Sequence, residues 1–179
     1  MPALPRGNWD WNVQPGTKIA VGGLEILWAE LLDRHAILVD RIVAGLEARM
    51  PVGIHETRDL IHEGIIALML ATARYDPRRG VFEDYATIVI RGHVLRYIIK
   101  GSSVSTGDIT HWDQEPPLHD LRDALMDLDD CSREVVVRSF GLAGKEESDE
   151  TIAARLHINP VDVGRIRMEA LARMKMIMG

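Results

Sequence analysis

Apolar residues between Leu24 and about Arg49 fall at Leu24, Leu27, Trp28, Leu31, Leu32, Leu38, Val39, Ile42 and Leu46. At about 100° per residue these positions share one face, so the pattern predicts an amphipathic helix. His35 lies on that face and reads as a core or boundary histidine. Met50-Pro51-Val52-Gly53 ends the helix, because proline lacks a backbone donor and clashes with the preceding turn. A second helix is predicted from about Glu56 to Arg74, with Pro77 and Gly80 as the next break. A third runs from near Glu83 to about Lys100. Its run Thr87-Ile88-Val89-Ile90 has strand propensity, but Tyr85, Ile88, Val89, Leu95 and Ile99 also fit a helical core stripe.

On either side of this block the pattern lapses. Residues 1–22 place Pro, Gly and Asn among Trp9, Trp11 and Val13 and read as an irregular arm. Trp9 and Trp11 suit anchors on a partner or on the chain's own first domain. Gly101-Ser102-Ser103, Thr106-Gly107-Asp108 and Asp113-Gln114-Glu115-Pro116-Pro117 have linker composition with an acidic bias. Helical spacing resumes at Leu121, Leu125 and Leu128. Ser132 is a candidate cap for the next helix, which carries Val135, Val136 and Phe140 and ends at Gly141. Ser148 caps a helix containing Ile152, Ala153 and Leu156. Asn159-Pro160 then opens a last helix, asparagine being a good cap and proline suiting the first helical position. Val163, Ile166, Ala170, Met174 and Ile177 share one of its faces. Two short helices, a tight turn and small Ala153 at the close approach make a helix-turn-helix pattern.

Composition narrows the function classes. A hydrophobic fraction of 46% supports real cores. No run of 18 apolar residues exists to cross a membrane, and no signal peptide is evident. The single Cys131 excludes an internal disulfide framework and fits a reducing cytoplasm. The net charge of −6 argues against a non-specific nucleic-acid coat, though not against a local basic face. No phosphate loop, nucleophile elbow or metal-ligand spacing is found, so no enzyme, cofactor or metal site is expected. His111 and His119 flank Asp113 at no regular ligand spacing. Asp76, Glu83 and Asp84 read as capping and solvated groups on a turn.

Composition does not account for Asp59-Leu60-Ile61-His62-Glu63-Gly64, followed by Tyr75-Asp76-Pro77-Arg78-Arg79-Gly80, Phe82-Glu83-Asp84-Tyr85-Ala86 and Ile90-Arg91-Gly92. This order resembles the core-binding and promoter-melting domain, region 2, of sigma-70 family initiation factors of bacterial RNA polymerase. The resemblance covers roughly Leu31 to Lys100, and Leu121 to Met176 resembles region 4. It implies an all-α chain of two small helical domains joined by an extended acidic linker. The arm spans 1–22, the region 2-like bundle 23–100, the linker 101–120 and the region 4-like helix-turn-helix domain 121–179. With region 3 missing, the layout is that of small alternative or phage-encoded factors.

The resemblance also implies roles. Asp59, His62, Glu63 and Met69 stand where family members grip the clamp coiled coil of the polymerase largest subunit; glutamine is usual at His62. Independently of it, Asp59, His62 and Glu63 read as one polar helix face suited to a basic coiled coil. Tyr85 matches the aromatic that stacks a flipped minus-ten adenine. Ile88 and Val89 stand where primary factors carry two wedging tryptophans, so weaker melting is expected. Arg91, His93, Arg96 and Lys100 complete the minus-ten set; the last three cluster within roughly 60° on the helix. Gly92 and Leu95 replace polar duplex readers. The segment 80–85 is one residue shorter than the common form. In the second domain Asn159, Val161, Asp162, Arg165 and Arg167 belong to the recognition helix, with Pro160, Val161 and Asp162 where primary factors place arginines and a glutamate. Met168, Leu171 and Met174 are expected to pack, in part on a polymerase flap element. The acidic linker (Asp108, Asp113, Glu115) suits either the active-site and RNA-exit region or a tether. Promoter DNA and core polymerase are thus the expected partners, with an anti-sigma factor or co-activator as regulator, in a cytoplasmic, nucleoid-associated setting. Two alternatives stand beside promoter recognition: a polymerase-binding modulator with weak or absent minus-thirty-five reading, and a stand-alone helix-turn-helix regulator.

Overall fold

The computed structural model describes residues 18–21, 24–50, 55–100 and 118–179. The two tryptophans of the arm, Trp9 and Trp11, and the acidic linker residues Asp108, Asp113 and Glu115 lie outside them. Among the described residues the chain is helical except for one hairpin. Strands β1 (Lys18–Val21) and β2 (Leu24–Leu27) pair antiparallel, with Lys18 opposite Leu27 and Val21 opposite Leu24. This corrects two expectations: the end of the arm is a strand, and Leu24–Leu27 is not the first turn of a helix. The sequence between the strands is Gly22-Gly23, a hairpin signal that the helical spacing of Leu24, Leu27 and Trp28 masks.

Three helices follow: α1 (Trp28–Glu47), α2 (Thr57–Arg74) and α3 (Phe82–Lys100). A 3-10 turn, Pro77–Arg79, joins the last two, and Asp76 caps it by accepting from the Arg78 amide. The β-branched run in α3 is helical because the helix is enclosed on most sides. Ala86, Ile90, Val94 and Leu95 are all fully buried, and a helix apolar all round is a buried one. Leu31, Val39, Ile42, Val43 and Leu46 of α1 and Leu60, Ala67, Leu68 and Ala71 of α2 complete this core. Gly64 sets the close crossing of α1 and α2: a β-carbon there would sit 2.6 Å from Val39 Cγ1.

The remaining helices are α4 (His119–Met126), α5 (Asp130–Ser139), α6 (Asp149–Leu156) and α7 (Pro160–Met178). Ser148 and Asn159 cap α6 and α7 as the sequence predicts, accepting from the amides of Thr151 and Val161. Ser132 does not cap α5; Asp129 does, by accepting from the Ser132 amide at 3.0 Å. Both residues are good caps, and three positions separate them. Between α6 and α7, His157 takes a left-handed conformation (φ 56°), which folds the chain back tightly. Val135, Ile152, Ala153 and Val163 form a small core holding α5, α6 and the start of α7. Ala153 is fully buried at this close approach, as its size predicts. The rest of α4, α5 and α7 joins the larger core: Leu121, Ala124, Leu128, Val136, Phe140, Leu171 and Met174 belong to the same buried cluster as α3.

Candidate nucleic-acid interface

The aromatic shelf is built by the turn between α2 and α3. The Tyr75 hydroxyl donates to the Gly80 carbonyl at 2.7 Å, which pins the ring over the turn. Phe82 meets Tyr75 edge-on at 5.2 Å between centroids, and Tyr85 lies 6.1 Å from Tyr75 at an interplanar angle of 33°. Tyr85 is half-buried, with part of its ring at the surface. His35 supports the cluster from below. It is 8% exposed and edge-on to Phe82 at 5.3 Å, and burial holds its imidazole below the ordinary histidine range against the opposing pull of Glu83. One turn along α3, Ile88 is 40% exposed while Val89 is 8% exposed and packed in the core. The expected wedge pair is therefore reduced to Ile88.

The basic face of α3 differs from expectation. His93 is 4% exposed, and its Nε2 pairs with Glu63 Oε2 at 2.9 Å. Glu63 is itself 7% exposed. The resemblance implies a different partner for each, DNA phosphates for His93 and the polymerase clamp for Glu63. Instead they join α2 to α3 inside the bundle, where each offsets the desolvation of the other. Asp59 and His62 remain on the exposed side of α2, and Met69 packs against the core.

Arg96 and Lys100 share one side of α3, whereas Arg91 lies well around the helix from them; each meets a carboxylate from the second half of the chain. Arg96 Nε and Lys100 Nζ both reach Asp120 at 2.8 Å. Burial pushes the Asp120 carboxyl up, but hydrogen bonds from Arg96 and Lys100 outweigh it and hold the group below the ordinary carboxylate range. Arg91 pairs with Glu146 at 2.6 Å and donates to the carbonyls of Gly141 and Gly144 at 3.2 and 2.6 Å. Glu146 also binds Arg49, just past the end of α1, at 3.0 Å. Sequence reasoning missed Asp120, counted as the end of the linker, and Glu146, in an acidic loop. Nothing in their local sequence announces a partner so distant along the chain.

Of the recognition set in α7, Asn159, Val161 and Arg165 are exposed and Asp162 is half-buried. Val161 is 84% exposed. Arg165 stands at the surface but is held along its own helix by Asp162 at 3.0 Å and Glu169 at 2.9 Å. Arg167 leaves the set. It is buried, and its guanidinium binds Asp149 at 2.7 Å and Ser139 Oγ at 3.1 Å, tying α7 to α5 and α6. Leu171 and Met174 pack inward as expected, whereas Met168 stays partly exposed.

Among the described residues no cluster of histidine, cysteine or acidic side chains is placed to hold a metal. No described helix is long and apolar enough to cross a membrane. Residues 31–103 match the family model for sigma-70 region 2. That segment takes in α1 from Leu31 onward, α2, α3 and the aromatic shelf, so the likeness to sigma-70 region 2 covers the first helical bundle. No curated protein and no solved structure matches the chain.

Proposed function

We propose that this protein is a sigma-type initiation factor that binds core RNA polymerase and directs promoter recognition and opening. The observation carrying the reading is that the sigma-70 region 2 match falls on the three-helix bundle that presents Tyr85 beside Tyr75 and Phe82. The bundle over 23–100 is the polymerase and minus-ten unit, and 121–179 is the helix-turn-helix unit reading DNA farther upstream. Asp59 and His62, on the exposed side of α2, meet the basic clamp coiled coil. Tyr85 stacks a base from the opened strand, a contact worth about 1–3 kcal/mol, and Ile88 wedges the neighbouring step. Arg165 is the leading contact of α7 to phosphate or base.

Tyr85→Ala tests the central step. Co-purification with core polymerase should be retained, while permanganate reactivity of thymines near the start site should fall about ten-fold or more. Equal reactivity would reject the stacking role. A second reading, a polymerase-binding modulator without upstream DNA recognition, draws on Pro160-Val161-Asp162 and on the two carboxylates that occupy Arg165. It expects the same promoter footprint from Arg165→Ala as from the parent protein.

A further inference from the structure

Val163, Arg167, Ala170, Leu171 and Met174 turn α7 toward the interior of the fold. At about 100° per residue Arg165 points directly away from them, with Val161 about 40° to one side and Asp162 about 60° to the other. Val161 is an apolar side chain left 84% exposed at the tip of a helix. Asp162 is braced: its Oδ1 accepts from Arg165 Nε at 3.3 Å and from Nη2 at 3.0 Å, and Arg165 Nη1 donates to Glu169 at 2.9 Å. Among the described residues nothing donates to Asp162 Oδ2. A guanidinium has five N–H groups, so Arg165 keeps two to donate elsewhere. The same tip offers little to a phosphate. Pro160 has no N–H, Asn159 Oδ1 accepts from the Val161 amide, and the Asp162 amide donates to the Asn159 carbonyl. The backbone donors that draw anions to a helix start are therefore already used, and a carboxylate stands beside them. What remains suits base edges. In the major groove a carboxylate accepts from the amino group of cytosine, and an apolar side chain meets the methyl group of thymine.

We infer that α7 reads an upstream step holding a cytosine and a thymine at adjoining base pairs, with the cytosine N4 amino group donating to Asp162 Oδ2 and Val161 covering the thymine methyl. The inference rests on the reading of 121–179 as a helix-turn-helix unit and adds the base preference of that unit. Arg165 is a positioning residue for Asp162: with Oδ1 pinned, the carboxylate presents Oδ2 in a fixed direction, and Glu169 holds Arg165 in turn. Val161 and Asp162 are consecutive in the first turn, where a recognition helix meets base edges. Neighbouring base pairs rise about 3.4 Å apart, within the spacing of two such side chains.

The test uses the full-length protein bound to core polymerase. Duplexes randomised through the upstream and minus-ten regions are selected by binding and sequenced. On the selected duplex, thymine in the upstream element is replaced by deoxyuridine, which removes one methyl group and needs no protein variant. The expected loss of affinity is about four-fold with the parent protein, the worth of one buried methyl, and smaller with Val161→Ala. Asp162→Asn, taken through the same selection, should exchange the cytosine for adenine, because an amide pairs with adenine N6 and N7; the preference should move about five-fold or more. Arg165→Ala should weaken the choice of cytosine and leave the deoxyuridine effect in place. Far-UV circular dichroism establishes that the three variants fold. Deoxyuridine binding as well as thymine, or Asp162→Asn keeping the parent's choice of bases, overturns the inference and leaves promoter recognition standing. A selected minus-ten sequence with no upstream preference removes upstream reading by α7, and the inference falls with it. Retention of no duplex at all rejects the promoter reading itself.

Discussion

Gly64→Ala isolates the packing that holds α2 against α1. An added β-carbon would lie 2.6 Å from Val39 Cγ1 and 3.7 Å from Ile90 Cγ2. Carbon contacts relax at about 3.5–4.0 Å, so the methyl group arrives about 1 Å too close. Val39 is 1% exposed and β-branched, so it has neither space nor an easy rotamer to retreat into. Overpacking of this kind costs about 1–3 kcal/mol. Helix propensity opposes it, since alanine is favoured over glycine by about 1 kcal/mol in a helix interior. The balance is a loss of up to about 2 kcal/mol, or a drop in Tm of up to about 8 °C for a chain of this size. Gly164, inside α7, is the control: a β-carbon there meets Arg167 Nη2 at 3.8 Å, an ordinary contact. Gly164→Ala should therefore stabilise by up to about 1 kcal/mol. Urea titrations followed by circular dichroism measure both. In a Val39→Ala background Gly64→Ala should become neutral or stabilising, because the colliding methyl is gone. The same stabilisation from both glycine substitutions in the parent protein, or an unchanged effect in the Val39→Ala background, would refute the argument.

Other outcomes follow from the buried and paired groups. Glu63→Leu deprives His93 Nε2 of its partner, while Nδ1 is already buried without one among the described residues; a loss of about 1–3 kcal/mol is expected in the same urea titration. Glu63→Gln keeps a hydrogen-bonding group there and should lose less. Asp120 is held below the ordinary carboxylate value of 3.8 by Arg96 and Lys100. Its ionised form therefore contributes stability that is present above that value and lost as pH falls through the lower folded value. The stability gap between wild type and Asp120→Asn should be full near neutrality and close below about pH 4 in a pH series of urea titrations.

Much of the fold is legible along the chain because its signals are local. Apolar spacing locates α2 and α3 within a residue or two, and Ser148, Asn159 and Pro160 mark the starts of α6 and α7. The hairpin is hidden because Leu24 and Leu27 satisfy the helical period by coincidence with the stripe of α1. The site is legible in kind and not in partnership. The sequence supplies the polar residues Asp59, His62 and Glu63, but it does not reveal that a histidine thirty positions away draws Glu63 inward. The same applies to Arg96 and Lys100, which share a side of α3 as their four-residue spacing demands, and to Arg91, which lies well around the helix from them. Their anions come from Asp120 and Glu146, and no periodicity links residues brought together by tertiary packing. Arg167 shows the converse: its place in a recognition helix suggests a groove contact, yet Asp149 and Ser139 hold it within the fold.

The small cluster of Val135, Ile152, Ala153 and Val163 has a consequence for motion. Together with the Arg167–Asp149 clasp it gives α5, α6 and the front of α7 their own fastening, separate from the larger cluster shared with α3. Those three pieces can then travel as a preassembled hand, keeping the angle of the α7 tip fixed while its attachment elsewhere loosens.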